Sequence, residues 1–260
     1  MWKIIIDQTG KALTLEQKPQ RIISVVPSQT ELLFDLGLDR EVVGITKFCV
    51  HPETWYRSKV RVGGTKTLDI EKIRALKPDL VIANKEENTK EDVGAIEGFC
   101  TVWTSNIVTI DDALAMIRDL GAITGTEKKA LEIAGQLDNG FREIRPVGKR
   151  AAYLIWKKPY MAAGGDTFIN TMMNLAGIDN VYANRPRYPE VTVEDLQMAN
   201  IELLLLSSEP YPFKMKDIEE LIEILPKVKI VLADGEMFSW YGSRLLHFPA
   251  YINGTDWHQA

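Results

Sequence analysis

The sequence predicts an α/β protein of two lobes, each a parallel sheet with helical crossovers, joined by a long rigid helix. Three observations carry this. Short apolar runs alternate with amphipathic segments along most of the 260 residues, the pattern of parallel strands with right-handed crossovers. The pattern stops at Arg145-Pro146 and starts again. The two halves also agree in detail: Gly37-Leu38-Asp39 recurs as Gly177-Ile178-Asp179, and Ile70-Glu71, nine residues before Leu80, recurs as Val193-Glu194, nine before Leu203. The divisions read as 1–125 for the first lobe, 126–145 for the connecting helix and 146–260 for the second lobe. A site is expected in the cleft between lobes, where loops leave the carboxyl ends of the strands.

Each element has a local reason. Lys3–Ile6 and Ala12–Leu15 flank Asp7-Gln8-Thr9-Gly10, whose glycine suits a hairpin turn with positive φ. Residues 21–26 form an apolar run ending at Pro27, the mark of a buried parallel strand. Ser28 or Thr30 is expected to cap a helix running to Leu36 and stopped by Gly37. Residues 42–45 are the next strand, and 46–66 read as a long polar loop bearing aromatics. A helix over 69–76 is broken by Lys77-Pro78-Asp79 before a strand at 80–83, and 101–103 form a fourth strand. Ile110–Thr124 and 126–144 read as helices, the second with Leu131, Ala134, Leu137 and Phe141 at helical spacing. In the second half, strands are expected at 151–156, 181–182, 203–207 and 228–232. Helices fall at 168–175, 192–198 and 214–224, and 253–260 is a polar tail.

Composition narrows the function. Thirty-one basic against 36 acidic residues give a net charge of −5, and an acidic chain without a basic block is poorly suited to nucleic acid. No apolar run approaches the ~18 residues of a membrane span. Two cysteines, Cys49 and Cys100, exclude a disulfide scaffold and a four-cysteine zinc site; they either pair or remain buried thiols. His51, His247 and His258 leave little material for a histidine-built metal centre. No Gly-rich phosphate loop, HExxH or GxSxG motif occurs, and no paired carboxylates or nucleophile–base set stand out. The chain is therefore expected not to be an enzyme. At the start, the apolar run Ile4-Ile5-Ile6 stops at Asp7, too short for a secretory leader.

The opening stretch Asp7-x-x-Gly10, Leu15, Pro19-x-Arg21-Ile22-Ile23-Ser24-x-x-Pro27-Ser28-x-Thr30-Glu31-x-Leu33-x-x-Leu36-Gly37 resembles that of the helical-backbone (class III) periplasmic binding proteins. These are the substrate-binding components of ABC importers for cobalamin, ferric siderophores and haem. Leu76-Lys77-Pro78-Asp79-Leu80-Val81-Ile82 is a second match. The stretch 155–164, Ile-Trp-Lys-Lys-Pro-Tyr-Met-Ala-Ala-Gly, followed by Thr167-Phe168-Ile169, looks closest to the cobalamin-binding branch. The resemblance covers about residues 3 to 245. It implies two Rossmann-like lobes, a rigid connecting helix, a ligand held between the lobes, no catalysis and no cofactor of the protein's own. The expected ligand is cobalamin or another corrinoid, with ferric siderophore or haem as alternatives. The expected partner is the membrane subunit pair of an ABC transporter, and the protein itself is expected to be a monomer. The address is periplasmic by resemblance, and cytoplasmic if the chain begins at Met1. Two alternatives remain in view: a cytoplasmic corrinoid carrier or sensor, and a two-lobed enzyme such as a glycosyltransferase or chelatase.

Large planar ligands are gripped by aromatic faces and a few polar groups. The candidates in predicted loops are Trp55, Tyr56, Trp156, Tyr160, Tyr188, Phe238, Trp240 and Tyr241, for each of which core packing is the plain alternative. Tyr188, in Arg185-Pro186-Arg187-Tyr188-Pro189, falls where the resemblance places a cleft aromatic. Glu236 could bond ligand amides or cap a helix. Arg244 could bind a carboxylate or phosphate bidentately or form a salt bridge across its lobe. His51, in Cys49-Val50-His51-Pro52, could approach a chelated metal or stay solvated. Gly164-Gly165-Asp166 before a helix is similar to an anion-binding turn and equally to a plain tight turn. Glu71 and Glu194 occupy equivalent first-turn positions in the two halves. Helix-dipole stabilisation explains them, while the resemblance implies one transporter-docking glutamate per lobe.

Overall fold

The computed structural model describes residues 3–257, so His258 and the end of the expected tail lie outside the described residues, as do Met1 and Trp2. The chain divides into two compact units, Met1–Gln136 with Tyr241–Arg244, and Leu137–Trp240 with Leu245–Ala260.

In the first unit, a hairpin of β1 (Lys3–Ile6) and β2 (Ala12–Leu15) pairs with Ile6 opposite Ala12, turning through Asp7-Gln8-Thr9-Gly10 as the sequence predicts. Then follow β3 (Ile22–Ser24), α1 (Pro27–Asp35), β4 (Val42–Ile45), α2 (Glu53–Ser58), β5 (Val60–Arg61), the small ribbon β6 (Gly63–Gly64) and β7 (Thr67–Leu68), and α3 (Ile70–Ala75). Next come β8 (Leu80–Asn84), α4 (Lys90–Glu97), β9 (Val102–Ser105) and α5 (Ile110–Thr124). The sheet order is β5-β4-β3-β8-β9, every pair parallel. All five residues of β8 are buried, as a central strand covered on both faces requires. The helix α6 (Glu127–Phe141) runs unbroken past the boundary between units at Gln136.

The second unit contains β10 (Lys149–Trp156), β11 (Tyr160–Ala162), α7 (Phe168–Leu175), β12 (Ile178–Asn180), β13 (Glu190–Val191) and α8 (Val193–Met198). After them come β14 (Leu203–Ser207), α9 (Met215–Ile224), β15 (Lys229–Ala233), α10 (Gly235–Ser239), a 3₁₀ turn at Ser243–His247 and α11 (Phe248–Gly254). Its sheet runs β13-β11-β10-β14-β15, with β12 on the first half of β10. The strands β10, β12, β14 and β15 are parallel, while at one edge β11 pairs antiparallel with β10 and β13 antiparallel with β11. Among the described residues no helix is long and apolar enough to cross a membrane.

Several local expectations change. Neither Ser28 nor Thr30 caps α1. The helix begins earlier, with Val26 as N-cap and Pro27 in its first turn, where the missing N–H costs nothing; Thr30 Oγ1 instead donates to the Val26 carbonyl at 2.9 Å. The 46–66 loop contains α2, because Trp55 packs edge-on against Phe34 at 5.4 Å and is almost fully buried. Residues 90–97 form a helix capped by Thr89 that periodicity misses, since Ile96 is its one buried residue. The short strand expected at 181–182 lies at Ile178–Asn180, entered directly from the left-handed Gly177, φ 67°. The loop expected at Phe238 holds α10, and the polar tail is partly docked. Asn253 donates to the Glu143 carbonyl and accepts from the Arg145 N–H, and Trp257 is buried. Both cysteines are free thiols; burial pushes Cys49 up to about 11 and Cys100 up to about 12, so neither ionises near neutrality.

Phe238 sits in the core of the second unit with no exposed surface, within 5.1 Å of Tyr153 and 5.5 Å of Phe248 between ring centroids. Truncating such a ring removes its transfer energy and leaves a cavity, so Phe238→Ala should lose about 3–5 kcal/mol of stability. A urea titration checks this; an unchanged midpoint would place Phe238 outside the core.

Candidate functional site

In each unit a central parallel strand, β8 or β14, is buried at every residue, so groups with chemistry gather at the carboxyl ends and in the loops beyond them. In the first unit the loop after β4 carries Lys47, Phe48, Val50 and His51, and the loop after β8 carries Glu86 and Glu87. Phe48 is 51% exposed and lies against Gly64, where a Cβ would meet its ring at 3.1 Å. The glycine lets the ring settle on the backbone while its outer face stays in solvent. Asn88 fixes the base of this surface, donating to the carbonyls of Val25 and Thr65 at 3.2 and 3.0 Å.

Two expected ligand groups in this unit are turned into the protein. The Tyr241 hydroxyl donates to Glu87 Oε1 at 2.9 Å with the ring buried. Arg244 forms a bidentate pair with Glu31, 2.8 Å on both arms, the salt-bridge alternative. Burial raises the Glu31 carboxyl above its ordinary value although Arg244 and the nearby His51 oppose the rise. Trp55 is structural: its Nε1 donates to Asp39 Oδ1 at 2.6 Å. Tyr56, half-buried on α2, lies under the Arg61 guanidinium at 4.7 Å. His51 is half-buried, and among the described residues no cluster of three His, Cys, Asp or Glu side chains could hold a metal ion.

In the second unit, Trp156 ends β10 at 40% exposure and meets Tyr211 edge-on at 5.7 Å. Lys157, the next residue, turns inward to Asp217 at 2.6 Å and Glu220 at 2.5 Å. Trp240 is buried, its Nε1 donating to Glu209 Oε1 at 2.9 Å, and Ser239 bonds the same oxygen at 2.7 Å. Burial nevertheless raises the Glu209 carboxyl, with Glu236 and Asp234 adding to the rise. Glu236 is in the first turn of α10, half-buried, its N–H bonded to the Asp234 cap. Tyr160 is half-buried on β11, and Tyr188 is half-buried beneath Arg187 at 5.5 Å. The Gly164-Gly165 amides donate to the carbonyls of Arg187 and Arg185, both at 2.8 Å, so this is a tight backbone latch and not an anion site. His247 is exposed at the end of the 3₁₀ turn.

Phe48 and Tyr211 went unrecognised in the sequence. Tyr211 had a readable signal, since Pro210 and Pro212 flank it as Pro189 flanks Tyr188. Glu71 and Glu194 are both exposed at the second position of α3 and α8, behind caps from Asp69 and Thr192. Apart from these surfaces, an open groove of about 440 Å³ lies between β2 and the segment 97–102. It adjoins the amino end of β9, away from the carboxyl-end loops.

The model of the family described as "Periplasmic binding protein" matches residues 22–224. An uncharacterized ABC transporter substrate-binding lipoprotein, YvrC of Bacillus subtilis, is 26% identical over 215 residues, spanning 77% of this chain and 68% of its own. A vitamin B12-binding protein of Pectobacterium carotovorum is 22% identical over 237 residues, 88% of this chain and 85% of its own. Among solved structures, the periplasmic heme-binding protein HutB of Vibrio cholerae superposes with a TM-score of 0.78 at 20% identity, covering 90% of this chain and 98% of that one.

The ion pair beneath Trp156 gives a pH signature. Burial opposes ionisation of Asp217, but Lys157 and the Lys214 N–H hold its carboxyl below the ordinary 3.8. The unfolded chain therefore binds this proton more readily, and stability rises with pH through the window below about 4. Asp217→Asn should flatten the acid limb of a stability-versus-pH curve measured by urea unfolding. At neutral pH it should cost less than the ~3–5 kcal/mol of orphaning a buried charge, because Glu220 still faces Lys157. An acid limb as steep as in the native protein would refute the pairing.

Proposed function

The chain belongs to the periplasmic binding protein family, and from that premise we propose that it is the substrate-binding protein of an ABC importer, taking a corrinoid as cargo. Haem and ferric siderophores are the neighbouring cargo classes. The match of the family model over most of the chain is the observation that carries the reading. Aromatic surface at the strand ends supports it: the exposed ring of Phe48 in the first unit, and in the second the exposed Trp156 with the half-buried Tyr211 beside it, each offer contact area to a large chelate. The metal arrives already chelated, so no resident metal cluster is required of the protein. The role is non-catalytic, and the working address is outside the cytoplasmic membrane.

Binding is tested by calorimetry and visible absorbance with cobalamin, cobinamide, haem and ferrichrome. A corrinoid should bind at 1:1 stoichiometry with a shift in its visible bands. Failure of every corrinoid with binding of haem or ferrichrome would change the cargo; failure of all four would overturn the importer reading.

Transporter docking is assigned in this reading to Glu71 and Glu194. Each is exposed at an equivalent helix start, and pseudo-symmetric acidic anchors suit basic side chains on a pair of membrane subunits. Glu71→Arg with Glu194→Arg should leave chelate affinity unchanged and abolish chelate-stimulated uptake in cells expressing the importer. Normal uptake by the double variant would return both residues to helix-dipole stabilisation.

A further inference from the structure

The carboxyl end of the second sheet ends in a rigid aromatic ledge. Trp156 closes β10, and the loop after β14 returns to it. The Tyr211 N–H donates to the Ile155 carbonyl at 3.3 Å, and the Phe213 N–H to the carbonyls of Tyr211 at 2.9 Å and Ser207 at 3.4 Å. The three rings form a ladder, Trp156 to Tyr211 at 5.7 Å and 66°, Tyr211 to Phe213 at 4.8 Å and 67°. Phe213 is buried in the core below, while Trp156 reaches solvent.

The charges around the ledge point elsewhere. Lys157 is committed to Asp217 and Glu220, and Glu209, which opens the returning loop, is committed to Ser239 and Trp240. The surface left at the end of β10 is aromatic, and the exposed Lys158 follows two residues after Trp156. Held by backbone bonds and by a buried ring, it loses little conformational freedom when a ligand covers it, and aromatic faces prefer flat, weakly hydrated partners.

We propose that Trp156 and Tyr211 form a stacking ledge that selects a flat macrocyclic metal chelate of the corrin or porphyrin type over an open, hydrophilic hydroxamate chelate. Lys158 meets a polar substituent on the edge of the ring. This rests on the importer reading and names the part of the second unit that sets its selectivity.

The test is affinity by calorimetry for cobinamide, haem and ferrichrome in the native protein and in Trp156→Ala, Tyr211→Ala and Tyr211→Phe. The native protein should prefer a macrocycle to ferrichrome. Each alanine variant should weaken the bound macrocycle roughly tenfold or more, the scale of a lost anchoring ring, while Tyr211→Phe, which keeps the ring, should stay within about twofold of native. Alanine variants that fold with native circular dichroism and bind the macrocycle as tightly as native would overturn the ledge and leave the importer reading standing. Preference for ferrichrome would also overturn the ledge alone. Absence of binding by all three chelates, and by cobalamin as well, in the native protein would overturn the importer reading and the ledge with it.

Discussion

A parallel strand covered on both faces has no room for a functional side chain. In β8 and β14 every residue is buried, and polar atoms appear only at the last position, as Asn84 and Ser207. What can touch a ligand is thereby displaced to the strand ends, as with Trp156, and to the loops beyond them. Those loops owe their order to the polar residues at the strand ends. Asn84 Oδ1 accepts the N–H groups of Glu86 and Glu87, and Ser207 bonds Tyr153 and the Glu209 carbonyl. The core positions the surface through these few atoms.

The same loops show how a side chain suited to binding becomes structural. Arg244, Trp240 and Tyr241 each have an anion within reach: Glu31, Glu209 and Glu87. An indole or phenol buried against a carboxylate satisfies its donor and fills space at once, whereas a buried carboxylate without a donor carries a heavy desolvation penalty. The raised carboxyls of Glu31 and Glu209 show that the penalty persists even with their partners present. Trp156 has no such partner among its described bonds. It also adjoins a lysine already committed inward, and its indole stays at the surface.

Legibility in the sequence followed the strength of local signals. The helix Ile110–Thr124 was readable to its ends, because Thr109 and Asp112 form a capping box and Gly125 supplies the left-handed stop. The central strands were readable as unbroken apolar runs. The helix at Lys90–Glu97 was not, since a helix that buries one side chain leaves almost no periodic trace. Site residues were harder, because an aromatic among Pro, Gly and Arg looks the same whether its ring faces in or out. Trp240 faces in because of Glu209, 31 positions upstream, a partner no local window contains. Tyr211 was as visible as Tyr188 by its flanking prolines. The strand-end position that gives it meaning follows only from the sheet.

The excursion of Tyr241–Arg244 into the first unit has a consequence for how the chain is assembled. Glu87 waits for a hydroxyl 154 positions later, and Glu31 for a guanidinium 213 positions later. During synthesis the first unit emerges with both carboxylates lacking these donors, and it stays incomplete until residues 241–244 have left the ribosome. Contacts of such sequence separation form late, after the entropy of closing the intervening loop has been overcome. A fragment ending at Gln136 would hold Glu31 in a half-built pocket without its counter-charge. The two sheets can nucleate separately, but the first reaches its final stability only when the second has delivered four residues back to it.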